Sequence, residues 1–567
     1  PVLLLGHVAR GIDWAQGPTF AASTESPVLE TRGRLSLYHN LVSRHISDQK
    51  TRNQAALVYD GPLALNPKGS RGVKQTLSYA QLDQCVRAVA LKLLRLGVTT
   101  GDAVAAMLAC VRIGAVHAVV FGGFAAAELA KRINDAKPKV IIYASCGLEP
   151  NKLFPYKPAV DEALAQSAYK PPHLILLNRP ELPINPFPAD GIHHPFPIPL
   201  HYREHEMKTM PDPVVLDAGA PLYLLTLLGV VRDVGGHAVS LKHAMDSVLG
   251  VKKGEVFFAA SDIGWVVGHT FIVYGPLIQG CTTVLYEGKP IMPGVDGAGA
   301  FWRLIQEYKI NALYTAPTAI RAIRKEDPDG LLLKKYNLKS LHDVFLAGER
   351  CDPDTAVFFT QNLTETGAPI TGACVMRDGH LTLPKMGSCG PPVPGYDVRV
   401  LVPPKHHKDY ENTHENSPGV IATKDWVPAS AVKLPLPPGC FPTLWNNHAG
   451  YKKSYFEKFP GYYDLTDQGY IDKDGYLTVL GRSDDVLNGE KPIGFIVLKA
   501  TSAGQDDSAQ VERELIAAVR TKIGAVACFD RVVVLKRLPK TRRGLRMDPE
   551  VLNEVAKALG AKKTSKL

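Results

Sequence analysis

The stretch YYDLTDQGYIDKDGYLTVLGRSDDVLN, residues 462–488, holds the densest set of residues able to do chemistry. Two acidic turns bracket a hairpin, and its second strand ends in Gly-Arg-Ser-Asp-Asp. A buried carboxylate at Asp467 can accept both hydroxyls of a ribose, with Arg482 closing the other side. Asp472, Asp474 and Asp485 read instead as solvated turn residues. A second stretch, PLYLLTLLGVVRDVGGHAVSL from Pro221 to Leu241, reads as a short buried strand, a break, and a Gly-Gly that opens a helix. A chain that leaves a strand this way often grips a phosphate, and the grip requires glycines, hydroxyls and a lysine. Here the break holds only Thr226, Leu227, Leu228 and Gly229.

Other chemistries find little support. There is no G-x-x-x-x-G-K-[ST] loop and no G-x-S-x-G elbow. His193-His194 and His406-His407 lie in Pro- and Lys-rich loops and read as solvated. Cys351 has no argued base nearby. The nine cysteines form no C-x-x-C pair, which argues for a reducing compartment and against a disulfide framework or structural zinc. The chain of 567 residues is 45% hydrophobic and 21% charged, a soluble globular mix with room for several domains. Its net charge of +10 suits a small anionic substrate, and solubility explains it equally well. No basic block with interleaved aromatics suggests nucleic acid. No apolar run reaches the roughly 18 residues that a membrane span needs.

The elements that must position these residues alternate. Ser78 to Leu96 reads as an amphipathic helix, with a capping box from Ser78 and Gln81, a stripe of Leu82, Val86, Val89, Leu93 and Leu96, and a stop at Gly97. A helix-like segment near 105–116 follows, then the strands PKVIIYAS and HLILL, then a Pro-rich surface loop over 181–213. Beyond the Pro221 segment the order is EVFFAAS, GHTFIVYGPLI, TTVLYEG, GAFWRLIQEY, NALYTAP and LHDVFLAGE: strand, helix, strand, helix, strand, strand. Such alternation predicts an α/β fold of parallel sheets covered by helices. From about Gly395 the pattern shifts to short strands and turns. The tail predicts strand 493–499, helix 508–522, strand 531–536 and a last helix from Pro549, a small α+β domain.

The 462–488 stretch resembles the adenylate-forming enzymes, specifically the AMP-forming acetyl- and propionyl-CoA synthetases. FGGFAAAELAKRINDAKPKVIIYASCGLEPNK, VVRDVGGHAVSL, SDIGWVVGHTFIVYGPL, LYTAPTAIRAIRKED, FLAGERCDPDT, KLPLPPGCFPTLWNN and KFPGYYD resemble them too, in the family's order. The resemblance implies a large adenylate-forming domain with a small β subdomain, and a small mobile α+β C-terminal domain. The expected boundaries are an N-terminal extension over 1–75, the AMP-binding domain over 76–483 and the small domain over 484–567. It implies activation of propionate or acetate through acyl-AMP to acyl-CoA, using ATP, CoA and Mg²⁺. Asp467 and Arg482 then bind ribose, Gly348 and Glu349 lie at adenine, Thr364 meets phosphate and Glu365 meets Mg²⁺. Asp484 is the hinge. Val266, Val267 and Ala347 wall the acyl pocket. The acetyl enzymes commonly carry Thr and Val at the last two positions, so Ala347 leaves room for one more methylene and propionate is favoured. Ser565-Lys566-Leu567 reads as a peroxisomal address, with the mitochondrial matrix or cytosol as alternatives.

The chain also departs from the family. The Thr-Ser-Gly-Thr-Thr-Gly-x-Pro-Lys-Gly loop is reduced to Thr226–Gly229. A core strand is lost after Asp102, which should open the sheet and leave its ladder groups unpaired. Gln361 and Asn362 stand where a paired Trp is expected, and a helix is missing after Asn488. Leu545 occupies the adenylating lysine's position. The CoA-facing arginines find only Glu149 and Lys152, leaving Lys152 to meet CoA. Intact family sequence flanks each deletion, as lost segments would leave. The alternative function is a catalytically inactive relative acting as a structural subunit or nucleotide or CoA sensor.

Overall fold

The computed structural model describes residues 7–22, 27–61, 73–348 and 429–482, apart from 105, 121, 123–125, 150–151, 200–201, 203, 226–228 and 293–295. Between 349 and 428 it describes 351, 355, 376–377, 380–381, 385 and 388–401, and beyond 482 it describes 493–496, 510–516 and 531–534. The chain divides into two compact units, Pro1–Asp397 with Leu434–Lys453, and Val398–Lys433 with Ser454–Leu567.

The first unit is built on two large sheets. The eight-stranded one runs in the order His193–Pro195, His173–Leu177, Val140–Ala144, Ala103–Val104, Val116–His117, Pro221–Leu225, Val230–Asp233, Thr443–Leu444. Its first six strands are parallel and the last two antiparallel. The six-stranded one runs Asp343–Leu346, Ala312–Thr315, Val256–Ala259, Thr282–Tyr286, Ala55–Asp60, Lys74–Ser78. Its strands are parallel except the last. The expected parallel sheets are present. Residues 1–75 supply the strand Ala55–Asp60 and the strands Gln16–Ala21 and Glu30–Leu35 of a separate three-stranded sheet.

The apolar runs are explained by burial on both faces. In HLILL, Ile175 joins one core cluster while Leu174 and Leu176 join another. Strand side chains alternate between faces, so a run without polar alternation needs cover on both. Helix Tyr79–Arg95 forms as its sequence predicts. Ser78 and Gln81 make a reciprocal capping box, and Gly97 turns left-handed at φ +74. Its Leu82, Val86, Ala90 and Leu93 pack with Leu222 and Tyr223 of the eight-stranded sheet and with Leu277 and Ile278. On the six-stranded sheet, Phe301, Trp302, Leu304 and Ile305 of helix Ala300–Tyr308 cover Val58, Phe258, Val284, Leu313 and Val344.

Two expectations need correction. The sheet is not opened after Asp102. Ala103 and Val104 form a two-residue strand that pairs with Val116 and His117 on one side and Val140 on the other. Lys139 N donates to Ala103 O (3.0 Å), Val116 N to Asp102 O (2.9 Å) and Ala118 N to Val104 O (2.9 Å). Two residues suffice because a ladder needs only its local carbonyls and amides paired. The Pro-rich stretch is not wholly loop. His193–Pro195 adds a parallel edge strand, and Glu204–Lys208 forms a short helix.

The second unit holds a four-stranded antiparallel sheet in the order Val398–Leu401, Ala429–Lys433, Tyr462–Ile471, Leu477–Arg482. Ile493–Ile496 pairs in parallel with Arg531–Val534, and 510–516 between them is helical. This is the α+β pattern expected of the tail. The helix expected from Pro549 lies outside the described residues.

Candidate functional site

Parallel strands deliver their carboxyl ends to one edge of a sheet, where ligands of open α/β sheets bind. In the six-stranded sheet the neighbours Val256–Ala259, Ala312–Thr315 and Asp343–Leu346 end together, with Ala259 opposite Tyr314 and Thr315 opposite Leu346. The segments leaving these ends carry Val266 and Val267, then Ala316, then Ala347 and Gly348. Three expected acyl-pocket positions and one adenine position therefore leave one edge of one sheet. Ala347 N donates to Thr315 O (3.0 Å), fixing the exit of the outer strand. Gly348 is exposed and turns at φ +98, a conformation that glycine adopts without strain. Glu349 lies outside the described residues.

The exit from Val256–Ala259 is tightly built. Asp262 closes the turn, its Oδ1 accepting from Gly264 N (2.8 Å) and its carbonyl from Trp265 N (3.1 Å). Val267 then caps a π-helix, Gly268–Tyr274, a geometry that recurs at functional sites. A Cβ on Gly268 would lie 2.7 Å from Ile263 C and closer still to Asp262 O and Ile263 Cα. The glycine is what lets the turn press against the helix. Two side chains one turn on then hold the loop's carbonyls. His269 Nδ1 bonds Trp265 O at 2.9 Å, and Thr270 Oγ1 donates to Val266 O at 2.7 Å. Val266 is exposed at its tip, and Val267 is half-buried. Sequence reasoning missed Gly268, His269 and Thr270. Their signal was present in G-W-V-V-G-H-T, where glycines four apart flank Val266 and Val267.

His269 belongs to a buried polar cluster. Its ring lies 4.6 Å from that of Tyr223 and stacks on His117 at 5.4 Å. His117 Nε2 bonds the Tyr274 hydroxyl, and Tyr223 OH is 3.4 Å from His237 Nε2. Burial holds His117 and His237 well below the usual imidazole range and His269 down to about 4. All three are neutral at pH 7.

The phosphate-loop segment is not strand, break and helix. Val230–Asp233 forms a further strand that turns back on Pro221–Leu225, with Leu225 opposite Val230. Residues 226–229 join these two strands in the chain, and the last of them, Gly229, has φ +68. Trp445 N donates to Gly229 O (2.6 Å). The helix Val234–His243 starts only after this second strand, and its N-terminus is already occupied. The Asp233 side chain accepts from Gly236 N at 3.2 Å. A Cβ on Gly236 would lie 2.8 Å from Gly439 N, and one on Gly235 would lie 2.9 Å from Ala218 Cα. Gly235 and Gly236 serve close packing, not a phosphate. Burial raises the Asp233 carboxyl to about 6.

In the second unit Asp467 lies directly across the ladder from Arg482, and Ser430 faces it on the other side. The register jumps from Ser430–Asp467 to Ala431–Asp464, and Thr466 in between has φ +57. Bulges of this kind re-aim a side chain beside active sites. Asp464 stabilises the bulge by accepting from Thr466 N (2.8 Å), with Lys458 Nζ 3.4 Å from its other oxygen. Asp467 is half-buried where full burial is expected from the sequence. Asp472 accepts from Asp474 N (2.9 Å) and Tyr476 N (3.0 Å), so it is the expected turn residue. Lys152 stands opposite Glu149 in the hairpin Cys146–Glu149 with Lys152–Pro155. Thr364, Glu365, Asp484, Asp485 and Leu545 lie outside the described residues, as do the side chains of Arg482 and Lys152.

Residues 45–182 and 229–423 match the family described as AMP-binding enzyme, and 477–545 match the AMP-binding enzyme C-terminal domain. The first match is interrupted at 182 and resumes at Gly229, just before the strand Val230–Asp233. The chain is 40% identical to the mitochondrial acyl-CoA synthetase short-chain family member 3 of Bos taurus, over 96% of this chain and 84% of that one. It is 32% identical to the propionate–CoA ligase of Salmonella typhimurium, over 96% and 92%. That alignment runs over 612 positions against 567 residues here, so the relative carries segments that this sequence lacks. The fold matches an acetoacetyl-CoA synthetase from Streptomyces lividans at a TM-score of 0.76 and 19% identity, over 97% of this chain and 88% of that one.

Proposed function

The chain belongs to the AMP-binding enzyme family, and from that premise we propose that it is an AMP-forming short-chain acyl-CoA ligase acting on propionate in preference to acetate. The observation that carries this reading is the common sheet edge from which Val266, Val267, Ala347 and Gly348 leave, in a chain similar along its length to short-chain acyl-CoA synthetases.

The chemistry follows from the poor leaving group of a carboxylate. Its oxide will not yield to a thiol, so one carboxylate oxygen first attacks the α-phosphorus of ATP and pyrophosphate leaves. The CoA thiolate then attacks the acyl carbon, and AMP departs with the bonding electrons. Ala347 and Val267 supply an apolar wall with room for one methylene beyond acetate, a difference of about 1–3 kcal/mol in such pockets. Gly348 lets the chain turn closely at the adenine, with Glu349 beside it. Asp467 accepts from the ribose hydroxyls, and Arg482, opposite it in register, closes the other side.

The residues fit the nucleoside better than the phosphates. The connection 226–229 offers one hydroxyl and no lysine, and the helix N-terminus behind it is capped by Asp233. No phosphate step is assigned to them. Thr364 is assigned to the phosphates and Lys152 to CoA, and Glu365 would hold Mg²⁺, which when bound would offset charge on the phosphates. The assigned domains are the extension 1–75, the AMP-binding domain 76–483 and the small domain 484–567. Asp484 is the hinge about which the small domain moves between half-reactions.

The deciding experiment is ATP–pyrophosphate exchange with propionate or acetate, run beside intact-mass analysis of the natural protein. Exchange dependent on propionate, several-fold faster than with acetate, supports the reading. A natural mass several kilodaltons above 61.6 kDa would supply the phosphate loop from segments absent here. No exchange, with a mass equal to that of this chain, would sink the ligase reading and favour a nucleotide- or CoA-sensing relative. For location, we read Ser565-Lys566-Leu567 as a microbody address, while the short-chain family member of Bos taurus named above is mitochondrial. A fluorescent reporter ending in these residues separates the two.

A further inference from the structure

We propose that His269 and Thr270 are positioning residues that set the acyl pocket by holding the backbone of Trp265 and Val266. The inference rests on the ligase reading above and deepens it.

The geometry begins with the carbonyls. Trp265 O and Val266 O precede the two residues assigned to the pocket wall, at a helix entry where a π-turn widens the ladder. Trp265 O accepts twice, from His269 N (3.1 Å) and from His269 Nδ1 (2.9 Å). Because a carbonyl only accepts, Nδ1 must carry the proton. The tautomer is thereby fixed, and Nε2 is left as a lone pair. Among the described residues no group bonds Nε2. The ring is fully buried, with Tyr223 and His117 against it. Turning the proton elsewhere would cost the Trp265 carbonyl its side-chain partner. Thr270 repeats the device one residue on, its hydroxyl fixing Val266 O.

The consequence is rigidity where discrimination is needed. One methylene separates propionate from acetate, and a wall free to move by an ångström loses that discrimination. Val266 is exposed, so packing alone does not fix it. The two side-chain bonds to the loop carbonyls supply what packing does not.

The test uses the full chain with His269→Asn, whose amide N–H takes the place of Nδ1–H, His269→Leu, which removes it, and Thr270→Val. Hydrogen exchange of amides 262–270 reports positioning directly and needs no turnover. The His269→Leu and Thr270→Val variants are expected to exchange this loop about tenfold faster, and His269→Asn to stay near the parent. Kinetics then report specificity. The KM for propionate should rise about tenfold in His269→Leu and Thr270→Val, with the KM for ATP unchanged and His269→Asn restored. Unchanged exchange in the loop for both His269→Leu and Thr270→Val would overturn the inference. If the parent shows no carboxylate-dependent exchange of pyrophosphate, the ligase reading fails while the hydrogen-exchange result still decides the positioning.

Discussion

Lowering the pH from 7.5 to 5 should destabilise this protein through histidines that fold neutral. His45 is 4% exposed, and its Nε2 bonds Leu277 O at 2.9 Å. Burial, then the neighbouring Arg44, lowers it to about 4. His269 is fully buried and lowered to about 4 by the same desolvation. The unfolded chain protonates these rings near 6.5, whereas the folded chain does not until about 4. Their stability is therefore fully present above 6.5 and is lost as pH falls towards 4. At pH 5 each ring costs about 2 kcal/mol by linkage. Asp233, raised to about 6, acts in the other direction. The folded state takes up its proton first, which returns about 1 kcal/mol over the same interval. His117 and His237 are held low by burial as well and add to the loss. The expected drop is about 3 kcal/mol or more, read as a fall in the urea midpoint. His45→Gln, which keeps a donor at the Nε2 position and cannot be protonated, should lose about 2 kcal/mol less. A parent midpoint that does not move between pH 7.5 and 5, or a His45→Gln variant that falls as steeply as the parent, would refute the assignment of neutral buried rings.

Gly268→Ala would push a methyl into Asp262 O and the backbone of Ile263. Because backbone, not a flexible tip, must give way, a loss of about 1–3 kcal/mol in urea unfolding is expected, together with a higher KM for propionate. Ser78→Ala removes a cap that accepts from Gln81 N at 3.3 Å and should cost about 1 kcal/mol with no change in substrate preference. Asp467→Ala should weaken AMP binding by calorimetry about tenfold or more, while leaving unfolding near that of the parent; equal AMP affinity would remove Asp467 from the ribose.

Much of the fold is legible because local signals agree with it. Ser78, Gln81 and Gly97 mark both ends of one helix, and the alternation from Glu255 to Glu349 names the parallel strands in order. The pairing of Asp467 with Arg482 is legible in outline, since two turn signals around a ten-residue strand bring them opposite each other. The antiparallel return after Leu225 is less so. Its return strand, VVRD, is four residues long and leads straight into the helix, so no turn residue separates them. Antiparallel pairing with Pro221–Leu225 decides it.

The sequence by itself determined the alternation of elements, the caps, the absence of a lysine in the 226–229 connection and the residue types at each expected site. Those depend on neighbours a few positions away, and short-range sterics and hydrogen bonding fix them. Only the tertiary structure decided that two residues complete the sheet after Asp102, that Gly235 and Gly236 serve packing, and that His269 reaches back to Trp265 O from inside a cluster of His117, Tyr223 and His237. The sheet pairing, the glycine packing and the cluster around His269 rest on groups that are far apart in the chain and meet only when the sheet and helices close on one another. Burial then sets which polar atoms must pair and which imidazoles stay neutral.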